Sequence, residues 1–183
     1  MPKIEITKSW EYYQCIVSPG FIVVSEEPTL ICSVCGNGVI ITVWDKAKKT
    51  GGMVHCIYPS KDKRKATNYS VDVAVPQLLG KMFAQHARAA DLDAQIIGGG
   101  SVGNYSRGRA QKVVKVARKV LRKYGVTIVS EDIEGSLGRK IVFDTHSGDI
   151  LVLKTRNVRG SDWIPESMIK NNDAQRRVER GTE

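Results

Sequence analysis

Cysteine is scarce in this sequence, and long hydrophobic runs and internal repeats are absent. Four cysteines in 183 residues are too few for a disulfide scaffold, so we expect free thiols and a cytoplasmic protein. No apolar stretch approaches the ~18 residues that a membrane span needs, and the first residues lack the pattern of a signal peptide. These absences disfavour repeat proteins, integral membrane proteins and disulfide-rich secreted domains.

Positive charge is abundant: 28 lysines and arginines oppose 19 acidic residues, for a formal net charge of +9. Such an excess of positive charge is typical of proteins that bind a nucleic acid, an anionic membrane surface or an acidic protein partner, and it also favours solubility. Residues 1–56 carry no net charge, whereas residues 111–125 carry six positive charges and no negative charge. This segment predicts a basic docking surface, with candidate binding residues Lys112, Lys115, Arg118 and Lys119.

Short β-branched runs between turn signals predict strands, and two stretches with a 3.6-residue apolar period predict helices. The expected strands span 21–24, 30–34, 39–44, 53–58, 94–97, 126–130, 139–144 and 149–153, and the expected helices span 71–90 and 109–124. Asn37-Gly38 predicts a tight turn and Ser147-Gly148 a hairpin turn. The order of elements predicts one α+β domain over residues 1–154 and a charged tail over 155–183.

Cys32 and Cys35 have the spacing of a zinc knuckle, and His55 and Cys56 are ligands of a suitable type. No second spaced pair exists, however, and adjacent strand residues point to opposite faces, so His55 and Cys56 do not easily share one ion. Buried free cysteines are the commoner explanation. We therefore expect no metal site and no cofactor.

A cysteine–histidine pair is a second possible chemistry, since a thiolate nucleophile needs an imidazole to accept and return its proton. His55 is the best candidate base, because it follows Gly51 and Gly52, whose missing side chains would let a ligand approach closely. An ordinary strand histidine is the competing interpretation. The glycines at 98–100 match neither nucleotide-binding pattern, which favours a structural turn there.

Several short segments follow one another in order over residues 15–154. They are Ser18-Pro19-Gly20, residues 34–45, Gly51-Gly52-Met53-Val54-His55 with Pro59, residues 69–79, residues 94–100, and residues 132–148 with Gly138-Arg139-Lys140. As an ordered set they resemble the CheD family, the chemoreceptor glutamine deamidases of bacterial chemotaxis. The resemblance implies a cytoplasmic protein of mixed β-sheet with two helices packed outside.

The family's chemistry, as the resemblance implies it, uses a cysteine nucleophile in a Gly-Ser-Cys-Val segment and the histidine of the second motif as base. The ungapped match here is Gly36-Asn37-Gly38-Val39, so Gly38 occupies the position of the nucleophile, and His55 is present. A threonine often found near the family's site falls opposite Cys32 or Ser33. The family's asparagine after the glycine-rich loop falls near Ala110, while the candidate binding residues beside the site are Asn37, Gly51 and Gly52.

Because a glycine has no side chain to attack with, our leading hypothesis is a pseudoenzyme of a chemotaxis pathway that acts by binding. The resemblance implies a chemoreceptor and a CheC-like phosphatase as partners. A shifted register gives an alternative, an active deamidase that uses Cys35 and His55. Nucleic-acid binding through the basic helix at 107–123 is a third hypothesis, disfavoured because no aromatic residues interleave the charges there.

Overall fold

The computed structural model describes residues 6–9, 12–60, 68–101, 107–156 and 158, and these residues form ten strands and two α-helices. The elements are β1 Ile6–Ser9, β2 Tyr12–Ile16, β3 Ile22–Ser25, β4 Thr29–Cys35, β5 Val39–Asp45, β6 Thr50–Cys56, α1 Val71–Ala84, β7 Leu92–Gly98, α2 Arg107–Lys123, β8 Thr127–Ile133, β9 Gly138–Asp144 and β10 Ile150–Thr155. A short 3₁₀ turn, Ala89–Asp91, precedes β7.

The strands form two five-stranded sheets. Sheet A has the order β1-β2-β4-β9-β10, in which β2 and β4 are parallel and the other pairs are antiparallel. Sheet B has the order β3-β6-β5-β7-β8, in which β7 and β8 are parallel and the other pairs are antiparallel. Mixed sheets with two helices confirm the α+β architecture expected from the sequence.

Two apolar cores hold these layers together. One lies between the sheets and includes Ile31, Ile40, Met53, Ile141 and Phe143. The other lies between sheet B and the helices, and it takes the apolar faces of α1 and α2. Since sheet B is covered on both sides, every residue of β6 is buried. Within the described residues, no helix is long and apolar enough to cross a membrane.

The structure differs from the sequence-based expectation at several places, including β6, which spans Thr50–Cys56 rather than 53–58. Strands β1 and β2 are additional to the predicted ones, and α1 ends at Ala84 rather than at residue 90. The chain leaves the helix there because His86 takes a left-handed conformation, with φ of 60°. The tail from residue 159 onwards lies outside the described residues.

The predicted turn at Asn37-Gly38 does not close a hairpin. Strand β4 belongs to sheet A and β5 to sheet B, so this turn carries the chain from one sheet to the other. Neither residue takes the positive φ that a two-residue hairpin of this sequence would need. The predicted hairpin turn at Ser147-Gly148 is confirmed, because it joins the antiparallel strands β9 and β10 with Gly148 at a φ of 80°.

Candidate functional site

The candidate site forms where Ser33 of β4 faces His55 of β6 across the two sheets. Ser33 Oγ donates a hydrogen bond to the carbonyl oxygen of Val17 at 2.6 Å and lies 3.2 Å from Nδ1 of His55. A hydroxyl has one proton, and Val17 accepts it, so Nδ1–H of His55 must donate to Ser33. The remaining nitrogen, Nε2, therefore carries a lone pair, as a general base requires.

Burial keeps this imidazole neutral. His55 is 3% exposed, and desolvation lowers its pKa from 6.5 to about 4. At neutral pH the ring is accordingly an unprotonated acceptor at Nε2. The sequence match placed either Cys32 or Ser33 opposite the family's threonine. In the structure Ser33 bonds to His55, whereas the sulfur of Cys32 accepts a hydrogen bond from Gln14.

Gly38 lies directly beside Nε2. A Cβ placed on Gly38 would be 3.1 Å from Nε2 of His55 and would overlap the carbonyl oxygen of Cys56. The geometry thus brings together Gly38 and His55, the two positions that the sequence match paired. The backbone at Cys56 packs against Gly38, so a side chain at residue 38 would fit only if the backbone moved.

The glycine-rich loop after β7 packs on this same residue. The backbone N–H of Gly99 donates to the carbonyl oxygen of Gly38 at 2.7 Å. A Cβ on Gly98 would lie 2.5 Å from that oxygen, and Gly98 has a φ of 119°, a conformation that disfavours other residues. These glycines serve close packing of the loop against the site, as the structural-turn interpretation requires.

Cys35, the alternative nucleophile, ends β4 inside the core. Its side chain is fully buried, and burial raises its pKa to about 12, although the positive charge of Arg139 and the backbone N–H of Gly38 partly oppose this. Within the described residues, no hydrogen bond joins this thiol to His55. The structure therefore gives Cys35 a neutral thiol packed beside Gly98.

Arg139 is a buried cation at this end of the molecule that sequence reasoning did not single out. It is 2% exposed and donates to Asp132 at 3.1 Å and to the carbonyl oxygens of Glu134 and Leu137. A Cβ on Gly100 would lie 3.1 Å from a terminal nitrogen of this guanidinium, so Arg139 packs beside the glycine-rich loop. Arg139, Ile141 and Phe143 are alternate residues of β9 and therefore point to the same inward face. This alternation is the sequence signal that could have identified Arg139 as buried.

The cysteines are not grouped with other metal-ligand residues in the part of the chain that the structure describes. All four are buried free thiols, and no group of three or more His, Cys, Asp or Glu side chains within the described residues could hold an ion. His55 faces Ser33, whereas Cys56 belongs to the core beneath the helices. These two neighbours point to opposite faces of β6, as their adjacency predicts.

The other candidate binding residues lie at different depths. Asn37 is half-buried in the turn beside Gly38. Gly51 and Gly52 are buried in the middle of the fold, where Cβ atoms would meet the ring of Phe143 and a methyl group of Leu78. The space left by these two glycines is therefore filled by the core, and the structure does not bring them to the site.

The basic residues lie on α2. Lys112, Lys115 and Lys119 are exposed, and Arg118 forms a bidentate ion pair with Glu131 at 2.8 and 2.6 Å. Ala110, near the position of the family's asparagine, is buried close to Gly99. Of the four predicted docking residues, Lys115, Arg118 and Lys119 line a groove beside β8, and Lys112 does not.

Comparison with known proteins agrees with the resemblance. The family model described as CheD chemotactic sensory transduction matches residues 58–154. A probable chemoreceptor glutamine deamidase CheD from Methanococcus maripaludis (strain C5) is 32% identical over 75% of this chain and 93% of that relative. A probable chemoreceptor glutamine deamidase CheD from Clostridium novyi (strain NT) is 37% identical over 62% of this chain and 75% of that relative.

Solved structures are less similar. The crystal structure of the Bacillus licheniformis hypothetical protein YfiH matches 63% of this chain and 50% of its own, with a TM-score of 0.44 and 12% identity. This similarity is too low to indicate a function. The family match and the sequence relatives define a CheD-like chemotaxis protein. The chain belongs to the CheD family.

Proposed function

We propose that this chain is a cytoplasmic chemotaxis protein that binds its partners without deamidating them. The named relatives are probable chemoreceptor glutamine deamidases, which supports a chemoreceptor as one partner. A CheC-like phosphatase is the other partner that the family resemblance suggests. In this proposal the site is a pseudoenzyme site, retained for its shape and its hydrogen-bonding groups.

The observation that carries the proposal is the relationship between Gly38 and His55. Amide hydrolysis through a thioester needs a thiolate that attacks the amide carbon and a base that accepts its proton. His55 has the lone pair for that task, and a Cβ at residue 38 would be 3.1 Å from Nε2. The chain supplies no side chain there, and the Cys56 carbonyl oxygen occupies the space that one would need.

Cys35 is a poor substitute for the missing nucleophile. A reactive thiolate needs a lowered pKa and some access to solvent, whereas burial raises the pKa of Cys35 to about 12 and its side chain has no exposure. The sulfur is held near the backbone N–H of Gly38 and against Gly98, rather than by the imidazole. These features favour binding over catalysis.

The test measures ammonia release from soluble chemoreceptor fragments that contain the glutamines, with the Methanococcus maripaludis relative as positive control. We expect no release above background from this chain and detectable binding of the fragment by calorimetry. Ammonia release that depends on His55 would overturn the proposal. If release also disappears in Cys35→Ala but persists in Cys15→Ala, Cys32→Ala and Cys56→Ala, Cys35 is the nucleophile.

A further inference from the structure

A groove runs between α2 and β8, and its lining includes no residue of the Gly38–His55 site. Two adjoining hollows of about 650 and 680 Å³ share Arg118 and Arg122. One is lined on its other side by consecutive residues of the β8 segment, and the other by residues of α2 and by Glu134. The lining residues are Gln111, Val114, Lys115, Arg118, Lys119, Arg122, Val126, Thr127, Ile128, Val129, Ser130, Glu131 and Glu134.

The groove carries an excess of positive charge. Its lining has four cations and two carboxylates, which leaves a net charge of +2. Arg118 is held by its bidentate ion pair with Glu131, so the excess comes from Lys115, Lys119 and Arg122. These three are exposed and lie within about two helical turns of one another, which presents them as one row of charge.

One of the two hollows is lined by β8, the outermost described strand on that side of sheet B. Among the described strands β8 pairs with β7 alone, so its other edge offers backbone donors and acceptors. The pairing register advances by one residue in β7 and by two in β8, from Ala94↔Ile128 to Gln95↔Ser130, so Val129 has no partner there. Val129 is 51% exposed and lines the same hollow as Arg122.

We propose that this groove binds an extended acidic segment of a partner protein, which adds to the edge of β8. Its carboxylates would face Lys115, Lys119 and Arg122, and one apolar side chain would cover Val129. In strand addition the main-chain hydrogen bonds provide affinity, and alternate side chains of the added strand provide selectivity. Here the apolar contact and the basic contacts of the groove would provide that selectivity. The seven residues of β8 provide an edge about 23 Å long.

The lining favours a polypeptide over a nucleic acid. Glu134 would repel a phosphate backbone lying in the groove, and the lining has no aromatic side chain on which bases could stack. A peptide can place an uncharged residue opposite Glu134, and it gains from the apolar contact at Val129. The proposal uses no residue of the Gly38–His55 site, so it can fail while the chain remains catalytically inactive.

The experiment uses a fluorescein-labelled peptide of about eight residues in which glutamate alternates with valine, titrated against the full chain. We expect Lys119→Glu with Arg122→Glu to weaken binding about tenfold or more, since it removes two cations and adds two like charges. The matched control is Lys112→Glu with Lys123→Glu, the same charge change on the same helix outside the groove. We expect this control to weaken binding by less than about threefold.

Strand addition has its own readouts. Saturating peptide should slow amide hydrogen exchange at residues 127–131, and the same peptide N-methylated at alternate residues should bind much more weakly. Equal losses for the two charge-reversal pairs would overturn a defined groove, and equal binding of the methylated peptide would overturn strand addition. Tighter binding of a DNA strand than of the peptide, lost in Lys119→Glu with Arg122→Glu, would assign the groove to nucleic acid instead.

Discussion

Ser33 Oγ and His55 Nδ1 lie 3.2 Å apart on strands of different sheets, and this contact sets the protonation of the imidazole. Because Ser33 gives its own proton to Val17, His55 keeps its proton on Nδ1 and presents an unprotonated Nε2 to Gly38. The arrangement offers a hydroxyl that orients the ring and an imidazole nitrogen with a free lone pair, and in our proposal Gly38 supplies no nucleophile beside them.

Removing the Ser33 hydroxyl should destabilise the protein. Ser33→Ala leaves a buried Nδ1–H without its acceptor, which costs about 1–3 kcal/mol of unfolding free energy. Urea denaturation measures the change. Ser130→Ala is the matched control, since Ser130 also bonds through its hydroxyl but is exposed, and its effect should stay within about 0.5 kcal/mol. Equal effects of the two substitutions would contradict a special role for Ser33.

Adding a side chain at Gly38 should be costly and should not restore catalysis. Gly38→Cys forces a Cβ against the Cys56 carbonyl oxygen, and overpacking of this kind costs about 1–3 kcal/mol. Gly80→Ala is the matched control, because a Cβ there meets nothing within 4 Å on an exposed part of α1, and alanine should stabilise the helix by up to about 1 kcal/mol. A stable Gly38→Cys variant that releases ammonia would contradict the conclusion that the backbone leaves no room for a side chain at residue 38.

The stability should depend on pH through His55. Its pKa is about 4 when folded and near 6.5 when unfolded, so between these values the unfolded chain binds more protons. The contribution of His55 is therefore fully present above pH 6.5 and is lost as the pH falls towards 4, by about 3 kcal/mol at most. Urea titrations at pH 7 and pH 4.5 should show a smaller loss in His55→Gln than in the original chain. An identical loss would mean that other groups cause it.

The thiols should be inert in the folded protein. Burial raises the pKa of Cys15 and of Cys35 to about 12, and all four cysteines are buried. Iodoacetamide at pH 8 should label them slowly in the native chain and rapidly in denaturant, as mass spectrometry of the peptides can follow. Rapid labelling of Cys35 alone would support the alternative in which Cys35 is the nucleophile.

Much of the fold follows from local sequence. The β-branched runs predicted strands β3 to β10. The spacing of basic and apolar residues in α2 predicted its cationic and apolar faces. Strands β1 and β2 were not predicted, because the residues around Tyr12–Ile16 have no strong alternation and β2 gains its place by pairing with β4. The turn at Asn37-Gly38 shows the same limit, since local preference does not reveal that its two strands enter different sheets.

The sequence by itself determined that residue 38 has no side chain, that His55 remains, and that the positive charge is concentrated on one helix. Only the tertiary structure decided that Ser33 rather than Cys32 bonds to His55, that Cys35 is buried in the core, and that Arg139 packs beside the glycine-rich loop. These are contacts between residues distant in the chain, and they depend on which strand faces point inward. A one-residue change of register reverses those faces, so local pattern alone does not fix them.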